Sequence, residues 1–299
     1  MIRRAYRAAA SLCAEIVMRT PLERPFVGIG RAVWSRPFIG RFYRSTAVRL
    51  AERFRQRGLH LRTVNVEGVP LVFDVTEFTT SPLYFGGVPW EPETAACLVS
   101  RLGEGGVFVD VGANHGYFTV LAAALVGVTG RVVAFEPNPA VFEQLRTHVR
   151  LNGFSARVTT VQAALADEES DSALLFVSND PGNSGLSSLV AARTYLHSGS
   201  LSHDRTVSVR IETFDRWFRS SALPRIDLVK IDVEGAEERV IAGMVATLAS
   251  GKVSAMICET VWGGPTHAKL CAAGFVPMRL EDFGYLSNVL YVSEGRTIS

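Results

Sequence analysis

From Val107 onward the chain alternates short apolar runs with longer stretches whose apolar residues recur every three or four positions. "VFVDVG" is followed by "YFTVLAAALVG", "RVVAFEP" by "AVFEQLRTHVRLNG", and "IDLVKIDV" by "EERVIAGMVATLAS". Continuous apolar runs of this length predict strands buried on both faces, and the three-to-four spacing predicts amphipathic helices. "RVTTVQAALA" reads as a third strand, and "SALLFVS" and "TVSVRIETF" as strands flanking a long polar loop. "SAMICET" reads as a fifth buried strand with "THAKLCAAG" as its helix, and "FVPMRL" and "LSNVLYVS" as a closing strand pair. The alternation predicts an α/β fold with a doubly wound, mainly parallel sheet.

Upstream the pattern changes. Residues 1–58 read as helical, punctuated by Pro21, Pro25 and Pro37. "LRTVNVEGVPLVFDV" alternates apolar and polar residues around Glu67-Gly68, a hairpin signal. "FTTSPLYFGGVPW" reads as loop, and a helix follows from Glu91 to about Leu102. The expected organisation is a basic helical extension over 1–58, a hairpin and loop over 59–85, and an α/β domain over 86–299.

Composition adds one feature to this outline. The 299 residues are 47% apolar and 20% charged, as in an ordinary globular protein, and carry a net charge of +2. Residues 1–60 hold thirteen arginines, three glutamates and no lysine, a net +10 that leaves −8 for the remainder. A basic arm ahead of an acidic body points to contact with an anionic surface or to docking on the body itself. In "MIRRAYRAAASLCAEIVMRT" the charges at Arg7, Glu15 and Arg19 interrupt the apolar stretch, which argues against a signal peptide or a membrane span. Ile2, Tyr6, Ala9, Cys13, Ile16 and Val17 recur at helical spacing, so this segment is expected to be an amphipathic helix. It either packs on its own protein or lies on a membrane surface. Four scattered cysteines without a C-x-x-C pair are expected to be reduced thiols in a cytoplasmic protein.

Doubly wound sheets bind ligands beyond the carboxyl ends of their strands, so the strand-end residues carry the candidate chemistry. After the first strand, "DVGANHGYF" places Asp110, Gly112, Asn114 and Gly116 ahead of a helix that starts at Tyr117. Such a glycine loop suits a dinucleotide, an ATP phosphate or S-adenosylmethionine. The P-loop lysine is missing, and Asn114 replaces the middle glycine of a dinucleotide loop. A carboxylate at this position repels pyrophosphate and suits a cationic methionyl group. After the second strand, "FEPNP" supplies Glu136, where an acid commonly grips ribose hydroxyls, with Pro137 and Asn138 beside it. Glu136 also reads as a helix-start acid, and Asn138 as an N-cap. "VQAALAD" offers Gln162 and Ala163 as a border for a purine.

"VFVDVGANHGYFT", "VVAFEPNP", "VQAALAD" and "LVKIDVEGAEERVIAG", in that order, resemble the FkbM family of S-adenosylmethionine-dependent methyltransferases. "GGVPWEPE", "NSGLSSL" and "IETFD" also fit, so the likeness runs from about Gly86 to the last strand. His115 departs from the small or apolar residue common at that position. The resemblance implies a Rossmann-like, seven-stranded, class I methyltransferase sheet with an antiparallel last strand. It implies S-adenosylmethionine as cofactor, and O-methylation of a hydroxyl on a sugar, glycolipid or polyketide-type natural product. Asp110, Gly112, Asn114 and Gly116, with Tyr117, would line the methionine side and Glu136 the ribose. Asp232 would face the transferred methyl.

An acceptor hydroxyl attacks better when a carboxylate draws off its proton. Asp232 is the first candidate base and Glu234 the second, with Lys230 placed to tune them if the strand is regular. Glu237 and Glu238 read as solvated or dipole-stabilising acids in the first helical turn. Glu259 closes the fifth strand and could reach the acceptor. Trp90 and Tyr84 could stack on a sugar, and Asn183, Ser187 and Ser188 could hydrogen-bond a polyol, while His197 and His203 read as surface. With only one or two acids evident at Asp232, no metal is expected. The alternative is an RNA methyltransferase using the arginine-rich arm. It is disfavoured because the arm has no lysine and no base-stacking aromatic series. Peripheral membrane contact and a homo-oligomer stay open.

Overall fold

The two periods in the sequence become strands and helices in a computed structural model, which describes residues 2–177, 187–189 and 205–294. The chain divides into two units, Met1–Pro92 and Glu93–Ser299. In the first, helices α1 (Ile2–Arg19), α2 (Glu23–Val33) and α3 (Ile39–Gln56) precede a hairpin of β1 (Leu61–Val66) and β2 (Val69–Asp74). The hairpin turns at Glu67 and Gly68, both at positive φ, with Gly68 N–H donating to Asn65 Oδ1 at 2.8 Å. The extension and the hairpin thus share one unit.

Helix α1 buries Ala10, Ala14 and Val17 and leaves Leu12 and Ile16 exposed, so only part of its apolar stripe is covered. The stretch expected as loop contains a helix, α4 (Thr80–Gly86), closed by Gly87 in the left-handed region. Gly86 lies so close to Trp34 that a Cβ would fall 2.3 Å from the indole. This contact, invisible in local sequence, overrides the Gly, Pro and Ser signals.

The second unit begins at Glu93, in the first turn of α5 (Pro92–Arg101), and continues through β3 (Val107–Val111), α6 (Tyr117–Leu125), β4 (Arg131–Phe135), α7 (Pro139–Leu151) and β5 (Val158–Val161). Then come β6 (Ala164–Leu165), β7 (Ser170–Val177), β8 (Arg205–Glu212), α8 (Phe214–Ser220), β9 (Leu228–Ile231), α9 (Glu237–Ala242) and α10 (Val245–Ala249). The unit closes with β10 (Ala255–Thr260), α11 (Pro265–Ala272), β11 (Phe275–Asp282) and β12 (Ser287–Ser293). Seven of the strands form one sheet in the order β11-β12-β10-β9-β3-β4-β5, parallel except for β12. Every residue of β3 and β9 is buried, as their apolar runs predict. The fold is Rossmann-like, with helices connecting parallel strands. The chain leaves β3 toward β4 and leaves β9 toward β10, so the loops after these two neighbours diverge and open a crevice.

Three expectations change. The third strand splits at Gln162-Ala163: β5 stays in the large sheet, whereas β6 joins β8 and β7 in a small one. The helix after β9 breaks at Gly243, where a Cβ would meet the Ala166 carbonyl at 2.1 Å, and α10 restarts with Asp215 accepting from Ala246 and Thr247 N–H groups. Helix α8 follows β8 directly, with Thr213 as its N-cap.

Gly112 joins the two crevice loops. It has φ +83, and a Cβ there would lie 1.9 Å from the Asp232 carbonyl oxygen. Gly153 has φ +73 but open space around it. Gly153→Ala should therefore cost about 1–2 kcal/mol, the penalty of the left-handed conformation alone. Gly112→Ala should exceed about 3 kcal/mol because backbone must also move. Urea midpoints of the two variants check this difference.

Candidate functional site

Strand β9 carries a lysine into the sheet. Lys230 pairs in register with Asp110 of β3, and its side chain is 3% exposed. Its Nζ donates to Asp232 Oδ2 at 2.8 Å and sits 4.8 Å from the centre of the Phe118 ring on α6. The strand is regular enough for residues 230 and 232 to meet on one face. Asp232, 23% exposed at the strand end, is thereby oriented through one oxygen.

The turn after Asp232 is strained: Glu234 has φ +56 and Gly235 follows at +99. Non-glycine residues in this region persist only where neighbours enforce them. Two neighbours do so here. Glu237 Oε1 accepts from the N–H groups of Val233 at 3.2 Å and Gly235 at 3.0 Å. Ser188 Oγ donates to the Glu234 carbonyl at 2.7 Å. Glu237 is thus buried and structural, a correction to its reading as a solvated acid; Glu238 is exposed and pairs with Lys269. The missed signal is its place: two residues after Gly235, a carboxylate can turn back on that turn's own N–H groups. Acidic oxygens of Asp232, Glu237 and Glu259 lie within 4.8 Å of one another, more ligands than the sequence revealed.

Across the crevice, Asp110 is buried beneath the loop rather than open at its mouth, with Oδ2 accepting from Thr119 Oγ1 at 2.6 Å. Burial raises its pKa to about 6 against the opposing pull of Lys230 and of the Thr119 bond. The loop places Gly112, Asn114 and Gly116 all at positive φ, and Gly116 opens α6 at the buried Tyr117. Helix α7 braces this loop. His148 Nδ1 bonds the His115 carbonyl at 2.7 Å, and Leu145 packs so close to Gly116 that a Cβ would meet it at 2.6 Å. His115 is itself buried, and burial beside His148 lowers its pKa to about 3, so the ring is neutral near pH 7.

Glu136 binds this loop to the next. Its Oε2 accepts from Asn114 N–H at 3.0 Å and its Oε1 from Asn138 N–H at 2.8 Å. Asn138 in turn caps α7, accepting from Ala140 N–H at 3.1 Å, and Pro139 takes the first helical position. Ser187 accepts from Asn138 Nδ2 at 3.4 Å. Residues 187–189 therefore connect the loop after β4 to the turn after β9. Ser188 is buried, with its hydroxyl engaged by that turn.

The fold thus brings Asp110, Gly112, Asn114, Gly116, Tyr117, Glu136, Pro137 and Asn138 to the ends of β3 and β4, and Lys230, Asp232, Glu234 and Glu259 to the ends of β9 and β10. Gln162 is exposed and Ala163 buried between β5 and β6. Trp90 belongs to the first unit, where it packs edge-on against Phe78 at 5.2 Å. Asn183, His197 and His203 lie outside the described residues.

Residues 110–286 match the model of the methyltransferase FkbM domain. Among curated proteins, the chain is 28% identical over 164 residues to "Methyltransferase sdnD" of Sordaria araneosa, covering 49% of this chain and 63% of that protein. It is 27% identical over 160 residues to "Hexuronic acid methyltransferase AglP" of Haloferax volcanii, covering 54% and 59%. It is 31% identical over 163 residues to "31-O-demethyl-FK506 methyltransferase FkbM" of Streptomyces tacrolimicus, covering 48% and 61%. The matches span about three fifths of these relatives' length.

Within the matched range, burial raises Glu136 from its ordinary 4.5 to about 7, despite the two backbone donors that favour its charged form. An acid whose folded pKa is raised binds its proton more tightly when folded. The associated stability is full below about pH 4.5 and is lost as pH rises through about 7. Wild type should lose a few kcal/mol more than Glu136→Gln between pH 5 and pH 8. Denaturant midpoints of both proteins at the two pH values measure this.

Proposed function

Because the chain belongs to the FkbM methyltransferase domain family, we propose that the protein transfers a methyl group from S-adenosylmethionine to a hydroxyl of a sugar, glycolipid or polyketide-type natural product. The matched region is an S-adenosylmethionine-dependent methyltransferase domain. Relatives named for a hexuronic acid and for 31-O-demethyl-FK506 support an oxygen-bearing small-molecule acceptor.

The residues present fit the cofactor. The turn from Gly112 to Gly116 carries no bulky side chain at its two glycines, and Glu136 stands at the neighbouring strand end for ribose hydroxyls. When bound, the cofactor supplies an electrophilic methyl on sulfonium, which the acceptor oxygen takes as the carbon–sulfur bond breaks. The protein's part is alignment and proton removal. The observation that carries the assignment is the Lys230–Asp232 pair. It holds Asp232 by Oδ2 at the strand end, where the carboxylate would receive the acceptor's proton. Asp232 also abuts Gly112, so base and cofactor loop share one backbone contact.

Asp232→Ala should leave S-adenosylmethionine affinity within a few-fold, by calorimetry, while turnover falls about 10²–10⁴-fold. Unchanged turnover would remove Asp232 as base. Methyl label entering RNA, with steeply salt-dependent binding, would put the RNA reading first.

A second reading is a divalent cation held by Asp232, Glu237 and Glu259. The metal-free reading stands ahead because two of these carboxylates already have internal partners: Lys230 on Asp232, and the Val233 and Gly235 N–H groups on Glu237. Activity should survive dialysis against EDTA. Loss restored by magnesium would reverse the order.

A further inference from the structure

In the first unit, helices α1, α2 and α3 enclose an open groove of about 300 Å³ whose walls include Val17, Phe26 and Phe42. Its rim is formed by Ile16, Ile29 and Ile39, all exposed, the last at 65%. Leu12, Leu22 and Phe38 are exposed as well, and Phe38 is 89% exposed. Exposed apolar side chains lining one groove mark an interaction site. Charge identifies the occupant. Residues 1–60 carry a net +10, and the exposed Arg7, Arg24, Arg31, Arg36 and Arg41 make no ion pair among the described residues. Arg36 and Arg41 bracket Phe38 and Ile39 in the chain, and Arg24 lies two positions after Leu22.

We propose that this unit docks on an anionic phospholipid bilayer, with the groove and its isoleucine rim taking the acyl region and the arginines the lipid phosphates. The combination requires a partner that is both aliphatic and negatively charged. A second copy pairing this same face with itself would bring like charges together, and RNA offers phosphates without an aliphatic surface. Interfacial binding of this type joins buried apolar area to attraction between arginines and anionic headgroups.

The test uses the full chain and flotation with vesicles of phosphatidylcholine alone or mixed with phosphatidylglycerol. The protein should float with the anionic vesicles and not with the neutral ones, and lose that association as salt rises. Phe38→Glu combined with Ile39→Glu, and separately Arg36→Glu with Arg41→Glu, should each reduce partitioning at least about tenfold. Circular dichroism checks that each variant is folded, and methyl transfer to a soluble acceptor reports separately on the catalytic reading. Equal binding to neutral vesicles, no binding, or variants that bind like wild type would overturn the proposal. So would a concentration-dependent dimer in sedimentation that the Phe38/Ile39 pair abolishes, which assigns the groove to a second copy. Displacement from vesicles by RNA that the isoleucine rim does not influence would overturn it too.

Discussion

An ammonium group shut inside a parallel sheet has to be neutralised where it lies, and Lys230 is such a group. Its position opposite Asp110 and its bond to Asp232 make the two strand ends electrically dependent on one another. Phe118 completes the enclosure and ties helix α6 to the same charge. The geometry of the crevice follows. Asp232 is held at the strand end by the buried cation, and Asp110, bonded to Thr119 beneath the loop, places a second carboxyl within its electrostatic reach. The strained turn at Glu234 is tolerated because Glu237 and Ser188 hold its backbone from two sides.

The fold was legible wherever burial on both faces writes an uninterrupted apolar run, as in "VFVDV" and "LVKI". It was illegible where one long-range contact decides. Helix α4 depends on Trp34, far upstream, and the break between α9 and α10 depends on Asp215 and on the Ala166 carbonyl. The strand-end rule pointed to the candidate site, yet it could not sort the acids within it. Glu237 and Glu238 are the same residue type side by side, but one helical step separates a buried backbone acceptor from an exposed partner of Lys269. Ser188 was noticed as a hydroxyl; only the fold shows that this hydroxyl meets the Glu234 carbonyl.

Local strain and rigid support are paired throughout the crevice. Asn114 has φ +51, and its N–H is held by Glu136 while the next carbonyl is held by His148. Such prior fixing of both loops is what a transfer reaction needs, since its acceleration comes largely from alignment. The same rigidity makes Gly112 intolerant of a side chain, because the two loops meet there at backbone distance.

The borders of family likeness and of the folded body do not coincide. The match to the family domain stops at residue 286, one position before β12, yet β12 runs inside the sheet between β10 and β11. Upstream, the first turn of α5 is closed by Glu281 of β11, which accepts from the Glu93 and Thr94 N–H groups and is joined by Asn288 of β12. A recombination event cut to residues 110–286 would lose α5 and the interior strand β12 and would sever β3. Exchange of this module between relatives therefore has to take its joints ahead of Glu93 and beyond Ser293, outside the matched residues 110–286.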